Sequence, residues 1–181
     1  MKLLIASDIH GSALYCRRLL EAYRSEGADR LLLLGDTLYH GPRNDLPAEY
    51  APKEVTRMLN DIAGEIFAVR GNCDAEIDQM VLGFPMMADY SLIFSGTRTV
   101  FLTHGHIYDE SNHPALRPGD VLIHGHTHIP ACEEHGGIIY MNPGSVSIPK
   151  ENSAHGYMLF EDDRFTWKTL DGTEYMSYTL T

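Results

Sequence analysis

The chain has 181 residues, which is enough for one domain with a substantial buried core. Its 44% hydrophobic and 22% charged residues are ordinary for a globular protein, and no apolar run reaches the roughly 20 residues of a membrane-spanning helix. The formal net charge of −11, from 14 Lys and Arg against 25 Asp and Glu, disfavours a protein that holds long nucleic acid by its backbone.

The first half of the chain alternates short apolar runs with amphipathic or turn-rich segments. Strands are predicted at residues 2–6, 30–34 and 65–69. Between and after them we predict a helix capped by Ser12 and ending near Gly27, a loop at 37–50, a helix from Pro52 to about Ile62, and a short helix at 75–82. This β-α-β-α-β order predicts parallel strands with right-handed crossovers.

The second half of the chain indicates strands joined by tight turns. Three hairpins are predicted, with strands at 90–94 and 98–103, at 131–134 and 138–142, and at 155–160 and 164–169. The acidic run 161–163 is then a hairpin tip, and further strands are predicted at 121–123 and 175–179. We therefore predict one α/β domain over residues 1–181, a four-layer α/β/β/α sandwich of two stacked mixed β-sheets flanked by helices.

Five short polar motifs each follow an apolar run. They are Asp8-Ile9-His10, Gly35-Asp36, Gly71-Asn72-Cys73-Asp74, His104-Gly105-His106 and Gly125-His126-Thr127-His128. Because side chains at the carboxyl ends of strands converge on one crevice of an open sheet, we expect these motifs to meet. Carboxylate, amide and imidazole groups in this number suit two divalent cations about 3.5–4 Å apart.

Several positions in these motifs fit particular roles at a pair of ions. Asp8 and His10 lie on one tight turn, so both can point at one ion. Asp36 is the natural bridge, because a carboxylate has two oxygens for two metals. Asn72 offers a neutral amide oxygen, which is a hard ligand without charge.

The pair His126 and His128, two positions apart, can reach different ions from one loop. Any one of the five motifs is weak evidence, since an isolated buried histidine is usually a hydrogen-bonded core residue. All five in this order, each after an apolar strand, favour the metal site over that alternative.

The order of the motifs resembles the calcineurin-like metallophosphoesterase superfamily, over residues 8 to 128. The loop His40-Gly41-Pro42-Arg43-Asn44 and the turn Asn142-Pro143-Gly144-Ser145 are similar to those of its small bacterial single-domain phosphodiesterases. The resemblance implies a first metal held by Asp8, His10, Asp36 and His128, and a second held by Asp36, Asn72, His104 and His126. It implies Mn²⁺ as the preferred occupant, while the same ligands accept Fe, Zn, Ni or Co.

The resemblance implies hydrolysis of a small phosphodiester by attack of a metal-bridging hydroxide, with Asp36, Asn72 and His104 as catalytic residues. A phosphomonoesterase is an alternative, because the ligand set does not separate monoesters from diesters. A second alternative is a non-catalytic protein-interaction scaffold of the same fold. The charge balance disfavours a nuclease, and a P-loop NTPase is excluded because no G-x-x-x-x-G-K-[ST] sequence occurs.

Cys73 departs from the superfamily pattern, in which a histidine follows the asparagine and is thought to act on the phosphate or the leaving group. Three roles compete for Cys73: a packing residue, which is favoured, a weak donor in the site, or a redox switch. His106, two residues from His104, is a candidate for the missing catalytic role, against a supporting role. Asp74 is predicted to support its loop or a metal-binding imidazole.

Other polar residues have weaker signals. Arg43 or Asn44 is a candidate contact for a phosphate oxygen, against a solvated loop charge. The turn at 142–145 is predicted to support the loop that carries His126 and His128. Three histidines outside the motifs are predicted to be surface residues, namely His113, His135 and His155.

Cellular location and partners are inferred from simple features. The three cysteines have no paired spacing, which predicts free thiols in a reducing compartment. Residues 1–6 are too short an apolar run for a signal peptide, so we expect a cytoplasmic protein that does not engage a membrane. The expected partner is a small phosphodiester, and the sequence leaves a homodimer or homotetramer open.

Overall fold

The computed structural model describes residues 1–181 as two stacked mixed β-sheets with few helices. Along the chain the elements are β1 (Leu3–Ala6), α1 (Ala13–Glu26), β2 (Arg30–Leu33), α2 (Pro52–Asn60), β3 (Ile66–Ala68), α3 (Glu76–Gln79), β4 (Tyr90–Ser95), β5 (Arg98–Thr103), β6 (Val121–Ile123), β7 (Ala131–His135), β8 (Ile138–Asn142), β9 (Gly156–Glu161), β10 (Arg164–Thr169) and β11 (Glu174–Thr179). None of the helices is long and apolar enough to cross a membrane.

The two sheets have different strand orders. The first is β11-β10-β9-β1-β2-β3, in which β1, β2 and β3 are parallel, β9 pairs antiparallel with β1, and β10 and β11 follow as an antiparallel meander. The second is β4-β5-β6-β8-β7, in which β5, β6 and β8 are parallel. The predicted fold class, the parallel β1-β2-β3 core and the three predicted hairpins are confirmed.

Helices cover the outer face of the first sheet. Ser12 caps α1 by accepting a hydrogen bond from the N–H of Tyr15 at 3.3 Å, and Gly27 ends the helix with a left-handed φ of 62°. The apolar faces of α1 and α2 pack on β1, β2 and β3. A second apolar layer fills the space between the two sheets, so the central strands β1 and β2 are buried on both faces.

The outer face of the second sheet has no helix. Residues 104–120, between β5 and β6, cover it, and Tyr108 and Leu116 pack against buried side chains of the sheet, namely Phe101, Leu122, Ile138 and Tyr140. The predicted outer helical layer is therefore a loop on this side. Pro114 and Pro118 interrupt the segment, and before them the side chain of Asp109 closes a turn by accepting hydrogen bonds from the N–H groups of Ser111 and Asn112, at 2.8 and 2.9 Å.

Two helices are shorter than predicted. α2 ends at Asn60 and is followed by a 3₁₀ turn at Ala63–Glu65. α3 occupies only four of the predicted residues, because the side chain of Gln79 donates hydrogen bonds to the carbonyls of Leu82 and Phe84, at 3.3 and 2.9 Å, and so turns the chain.

Candidate metal centre

The five predicted motifs lie at the carboxyl ends of strands in both sheets. Asp8, Asp36 and Asn72 follow β1, β2 and β3, the neighbouring parallel strands of the first sheet. His104 and His126 follow β5 and β6 of the second sheet. The structure thus brings the motif side chains to one edge of the stacked sheets, as the sequence predicts.

Five of the seven predicted ligand residues have positive φ angles. The angles are 61° for Asp8, 49° for His10, 54° for Asp36, 67° for His126 and 65° for His128. A non-glycine residue in this region costs roughly 1–3 kcal/mol and persists only where surrounding contacts hold it. Backbone strain of this kind clusters at functional sites, which supports a functional role for the crevice.

Hydrogen bonds from the turn at residues 142–145 hold these strained loops. The Nδ2 of Asn142 donates to the carbonyl of Gly125 at 2.7 Å and to Oγ1 of Thr127 at 3.0 Å. The Oγ of Ser145 donates to the carbonyl of Asp8 at 2.9 Å. The predicted support of the loop carrying His126 and His128 is confirmed, and the turn also fixes the backbone of Asp8, which the sequence did not indicate.

The first group of converging side chains contains Asp8, His10 and His128. Nδ1 of His10 and Nδ1 of His128 each lie 2.8 Å from a backbone carbonyl oxygen. Because a carbonyl only accepts hydrogen bonds, these nitrogens carry the protons, and the Nε2 atoms of the neutral rings keep their lone pairs. The two Nε2 atoms lie 3.3 Å apart, and 3.5 and 3.2 Å from Oδ1 of Asp8.

The second group contains Asp36, Asn72, His104 and His126. His104 donates from Nδ1 to the carbonyl of Leu34 at 2.7 Å, so its Nε2 is the atom that offers a lone pair once the ring is neutral. This Nε2 lies 3.1 Å from Oδ1 of Asn72 and 3.3 Å from Nδ1 of His126. In the second group, too, oxygen and nitrogen atoms that can offer lone pairs lie close together.

Asp36 lies between the two groups. Its Oδ2 is 3.6 Å from Nε2 of His10 and 3.4 Å from Nε2 of His104. Oδ1 of Asp8 is buried and has no hydrogen-bond donor. A buried acceptor without a donor is costly, and lone pairs that face one another need a cation between them. The residues therefore fit divalent cations bound by oxygen and imidazole ligands.

Protons compete with cations for these atoms. Burial opposes ionisation of Asp8, but the imidazoles of His10 and His128, when protonated, hold its pKa well below the usual range. The pKa of Asp36 is also lowered, against burial, by its hydrogen bond with His104. Burial alone would lower the pKa of His104, but that same hydrogen bond and the charges of the two carboxylates raise it to about 9. The centre thus stabilises the ionised form of both carboxylates, which face a positive charge.

Asp74 supports the loops of the centre. It accepts hydrogen bonds from the backbone N–H groups of Asp36 at 2.8 Å, Thr37 at 2.9 Å and Gly71 at 2.7 Å. These bonds tie the loop after β2 to the loop after β3. The predicted loop support is confirmed, and the bonds of Asp74 go to backbone groups and not to an imidazole.

Cys73 is half-buried at the edge of the first group. Its sulfur lies within 4.8 Å of the ligand atoms of His10 and Asp36, and its backbone N–H donates to Oδ1 of Asp36 at 2.8 Å. Burial and the charge of Asp36 raise the pKa of the Cys73 thiol to about 12. A thiol with a raised pKa is a poor nucleophile, which argues against a redox switch.

His106 lies beside the second group. Its ring centroid is 5.4 Å from that of His104 and 6.5 Å from that of His126, and its buried Nδ1 has no hydrogen-bond partner. Burial and the charges of His104 and Arg70 lower the pKa of His106. The ring is therefore neutral near pH 7 and free to bind another group.

A cavity of about 400 Å³ opens beside the centre. Asp36, Cys73, Arg43 and Asn44 line it, so the structure places both candidate phosphate contacts next to the centre. Lys150 also lines this cavity. Lys150 is not predictable from the sequence, because no motif surrounds it and only the folded chain brings it close to the centre.

Three histidines that are predicted to be surface residues have different environments. His113 and His135 are exposed, as predicted. His155 is half-buried, stacks on Tyr15 with ring centroids 4.0 Å apart, and donates from Nδ1 to the carbonyl of Val146 at 2.9 Å. Its prediction as a surface residue is wrong, because helix α1 packs over it.

Comparison with known proteins agrees with this arrangement. A family model described as the calcineurin-like phosphoesterase superfamily domain matches residues 1–164. Phosphodiesterase YfcE of Escherichia coli K12 is 50% identical over 163 residues, which cover 90% of this chain and 89% of that protein. A solved structure of YfcE, a phosphoesterase from E. coli, has a TM-score of 0.96 at 46% identity and covers 100% of both chains.

A more distant structure shares the fold alone. Vps29 of Entamoeba histolytica, solved in complex with Zn²⁺, has a TM-score of 0.66 at 22% identity and covers 100% of both chains. At this identity the likeness concerns the arrangement of strands and says nothing about activity.

Proposed function

Because the chain belongs to the calcineurin-like phosphoesterase superfamily, we propose that it is a phosphodiesterase that uses two divalent metal ions to hydrolyse a small phosphodiester. The observation that carries the proposal is the pair of acceptor groups that share Asp36. A non-catalytic scaffold has no need for neutral imidazoles and carboxylates whose lone pairs converge in a strained, buried crevice.

The ligand sets follow from the two groups. Asp8, His10, Asp36 and His128 would hold the first ion, and Asp36, Asn72, His104 and His126 would hold the second. Such a pair, with Mn²⁺ the preferred occupant, supplies a water of lowered pKa as nucleophile and screens the charge on the phosphoryl oxygens. Asp36, Asn72 and His104 therefore serve both metal binding and catalysis.

The remaining polar residues have roles outside the ligand sets. His106, with its unpartnered Nδ1 and lowered pKa, is proposed to act on the substrate as a neutral imidazole, by a hydrogen bond from its ring N–H to the phosphate or the leaving group. Cys73 is proposed as a packing residue and at most a weak donor, since its pKa is raised to about 12. Backbone hydrogen bonds fix the ligand loops, so little reorganisation is needed when substrate binds.

We also propose the domain organisation, the cellular location and the substrate size of the enzyme. The whole of residues 1–181 forms one domain, with the ligands drawn from both sheets. The cytoplasm is the proposed location, because all three cysteines are free thiols, namely Cys16, Cys73 and Cys132. The net charge of −11 favours a small substrate over long nucleic acid.

The proposal is tested with a diester and a monoester that carry the same leaving group. Protein is stripped of metal with a chelator and assayed with and without added Mn²⁺. We expect activity only with metal, and a kcat/KM for the diester at least about tenfold above that for the monoester, because the 50% identical relative YfcE of E. coli is a phosphodiesterase. A preference for the monoester would favour a phosphatase, and hydrolysis of neither would favour a scaffold.

Cys73→His is expected to raise kcat/KM most for diesters with poor leaving groups. An imidazolium beside the centre donates a proton that a thiol holds too tightly, and general acid catalysis contributes typically about 10²–10⁴-fold. The measurement is a plot of log kcat/KM against leaving-group pKa, whose slope should become shallower. Cys73→Gln is the control of similar size without a titrating group. A gain that is equal for all leaving groups would contradict a general-acid role for this position.

Metal binding is expected to strengthen with pH. The raised pKa of His104, about 9, means that a cation must displace a proton from Nε2 at neutral pH. The apparent Kd for Mn²⁺ should therefore fall between pH 6.5 and 9, by up to about tenfold per pH unit for each displaced proton. Calorimetry in buffers of different ionisation enthalpy measures both the affinity and the proton release.

The raised pKa of His104 also predicts that protein stripped of metal becomes less stable as the pH rises. A folded-state pKa above the unfolded value stabilises the fold below about pH 6.5, and this stabilisation is lost as the pH rises through about 9. The melting temperature of stripped protein should fall over that window, and that of protein saturated with Mn²⁺ should not. A Kd that is constant between pH 6.5 and 9 would exclude competition between proton and metal.

A further inference from the structure

Two basic side chains line the cavity and take no part in the proposed reaction. Arg43 and Lys150 belong to distant parts of the sequence and meet at the same cavity, beside Asp36 and His128. Neither side chain forms an ion pair or a hydrogen bond within the protein, although the chain has an excess of acidic residues that could pair with them. Two charges without partners at the mouth of a site are available to a ligand.

Both residues are held by the loops of the centre. The backbone N–H of Lys150 donates to the carbonyl of His128 at 3.2 Å, and Ser153 Oγ donates to the carbonyl of Lys150 at 2.6 Å. On the other side, Asn44 Nδ2 donates to the carbonyl of His40 at 2.8 Å and closes the turn that carries Arg43. The backbone positions of Arg43 and Lys150 are therefore fixed by the loops of the centre, and not by a mobile surface segment.

The turn with Arg43 is also packed tightly against the centre. Gly41 lies so close to Cys73 that a Cβ atom at position 41 would come within 2.9 Å of the sulfur. The turn cannot move inward toward the ligand groups. It places Arg43 along the wall of the cavity that opens beside the centre.

The scissile phosphate does not need these two cations. A phosphodiester carries one negative charge. Two divalent ions bring four positive charges to the centre, against the two carboxylates Asp8 and Asp36. Even with a hydroxide on the ions, the remaining positive charge balances that of the phosphate, so Arg43 and Lys150 are surplus unless the substrate has a second anionic group. Apart from Asp36, no acidic residue lines the cavity to compete for them.

We propose that the substrate is a phosphodiester with a second anionic group, a carboxylate or a phosphate, on one of its two alcohols, and that Arg43 and Lys150 bind that group. The proposal rests on the proposed function and narrows its substrate class. Arg43 offers a planar fork that matches either anion with two hydrogen bonds, and Lys150 adds a point charge. Both residues determine specificity and do not act on the reacting atoms.

The test uses two diesters with the same para-nitrophenyl leaving group. The second alcohol ends in a carboxylate in one substrate and in the carboxamide of the same shape in the other. Metal ions at the centre also attract the extra charge, so the decisive quantity is how the ratio of the two kcat/KM values changes between variants. We expect Arg43→Met and Lys150→Met each to lower the carboxylate-to-carboxamide ratio about 3–10-fold, and less so at high salt.

Lys53→Met is the matched control. Lys53 is exposed on α2, does not line the cavity, and its replacement changes the net charge by the same amount. The carboxylate-to-carboxamide ratio of kcat/KM values for Lys53→Met should equal that of the wild type. A ratio that neither Arg43→Met nor Lys150→Met lowers would overturn this inference and leave the phosphodiesterase proposal standing. Hydrolysis of neither substrate by wild-type protein with Mn²⁺ would overturn both.

Discussion

Asp36→Asn is expected to lower kcat/KM for a phosphodiester by at least about 10³-fold without unfolding the protein. Removal of one group that stabilises a transition-state charge costs about 10²–10³-fold, and Asp36 is the residue common to both ligand sets. Asparagine keeps Oδ1 as acceptor for the N–H of Cys73, which is now bonded at 2.8 Å, so the local structure is retained. What is lost is the negative charge between the two groups.

The metal content of Asp36→Asn shows whether the activity is lost because metal binding is lost or because the chemical step alone is slower. Elemental analysis of Asp36→Asn after incubation with Mn²⁺ and removal of free metal should find one ion or fewer per chain. Asp162→Asn is the matched control, because Asp162 is exposed at the β9–β10 hairpin tip and its replacement removes one negative charge far from the centre. Full metal content and activity in Asp36→Asn would show that the acceptor groups do not form the centre proposed here.

Gly71→Ala is expected to disrupt the same centre by sterics alone. A methyl group at this buried position would overlap the side-chain oxygen and the backbone nitrogen of Asp36. Neither atom of Asp36 can move freely, because its N–H is bonded to Asp74, which also holds the Gly71 N–H, and its Oδ1 accepts a hydrogen bond from the N–H of Cys73. We expect a loss of about 3 kcal/mol in the free energy of unfolding, a melting temperature lower by roughly 6–12 °C, and at least about a 10²-fold loss of activity.

Gly64→Ala is the control for the glycine-to-alanine change itself. Gly64 has no neighbouring atom within 4 Å of an added Cβ and lies in the 3₁₀ turn after α2. Its substitution should leave activity unchanged, and the stability constant or higher by less than about 1 kcal/mol. Thermal melts and steady-state rates on both variants provide the comparison. Equal melting temperatures for Gly71→Ala and wild type would show that the loops after β2 and β3 are not packed as described.

The strands and the polar motifs were predictable because their signals are local. Short apolar runs such as that of β2 are buried on both faces, and each functional motif begins directly where a run ends. Parallel topology then follows from the helices between the strands, so the meeting of Asp8 and Asp36 needed no tertiary information.

Features that depend on distant contacts were not predictable. Helix α3 ends early because the side chain of Gln79 forms hydrogen bonds with the chain that follows it. The predicted helical layer over the second sheet is instead a loop, in a segment that contains prolines and has no clear periodicity. Lys150 reaches the cavity only because its backbone bonds to His128. In each case the information lies in pairs of residues that sequence patterns do not connect.

The left-handed backbone at the ligand positions limits which amino acids evolution can place there. Asp, Asn and His are the non-glycine residues that tolerate such φ angles best, and they are also oxygen and imidazole donors for borderline divalent ions. Longer or β-branched replacements carry a conformational penalty even where their donor atoms would suit the ion. A saturation library at positions 8, 10, 36, 126 and 128 should therefore return a narrow set of functional sequences, with glycine tolerated for folding but not for turnover.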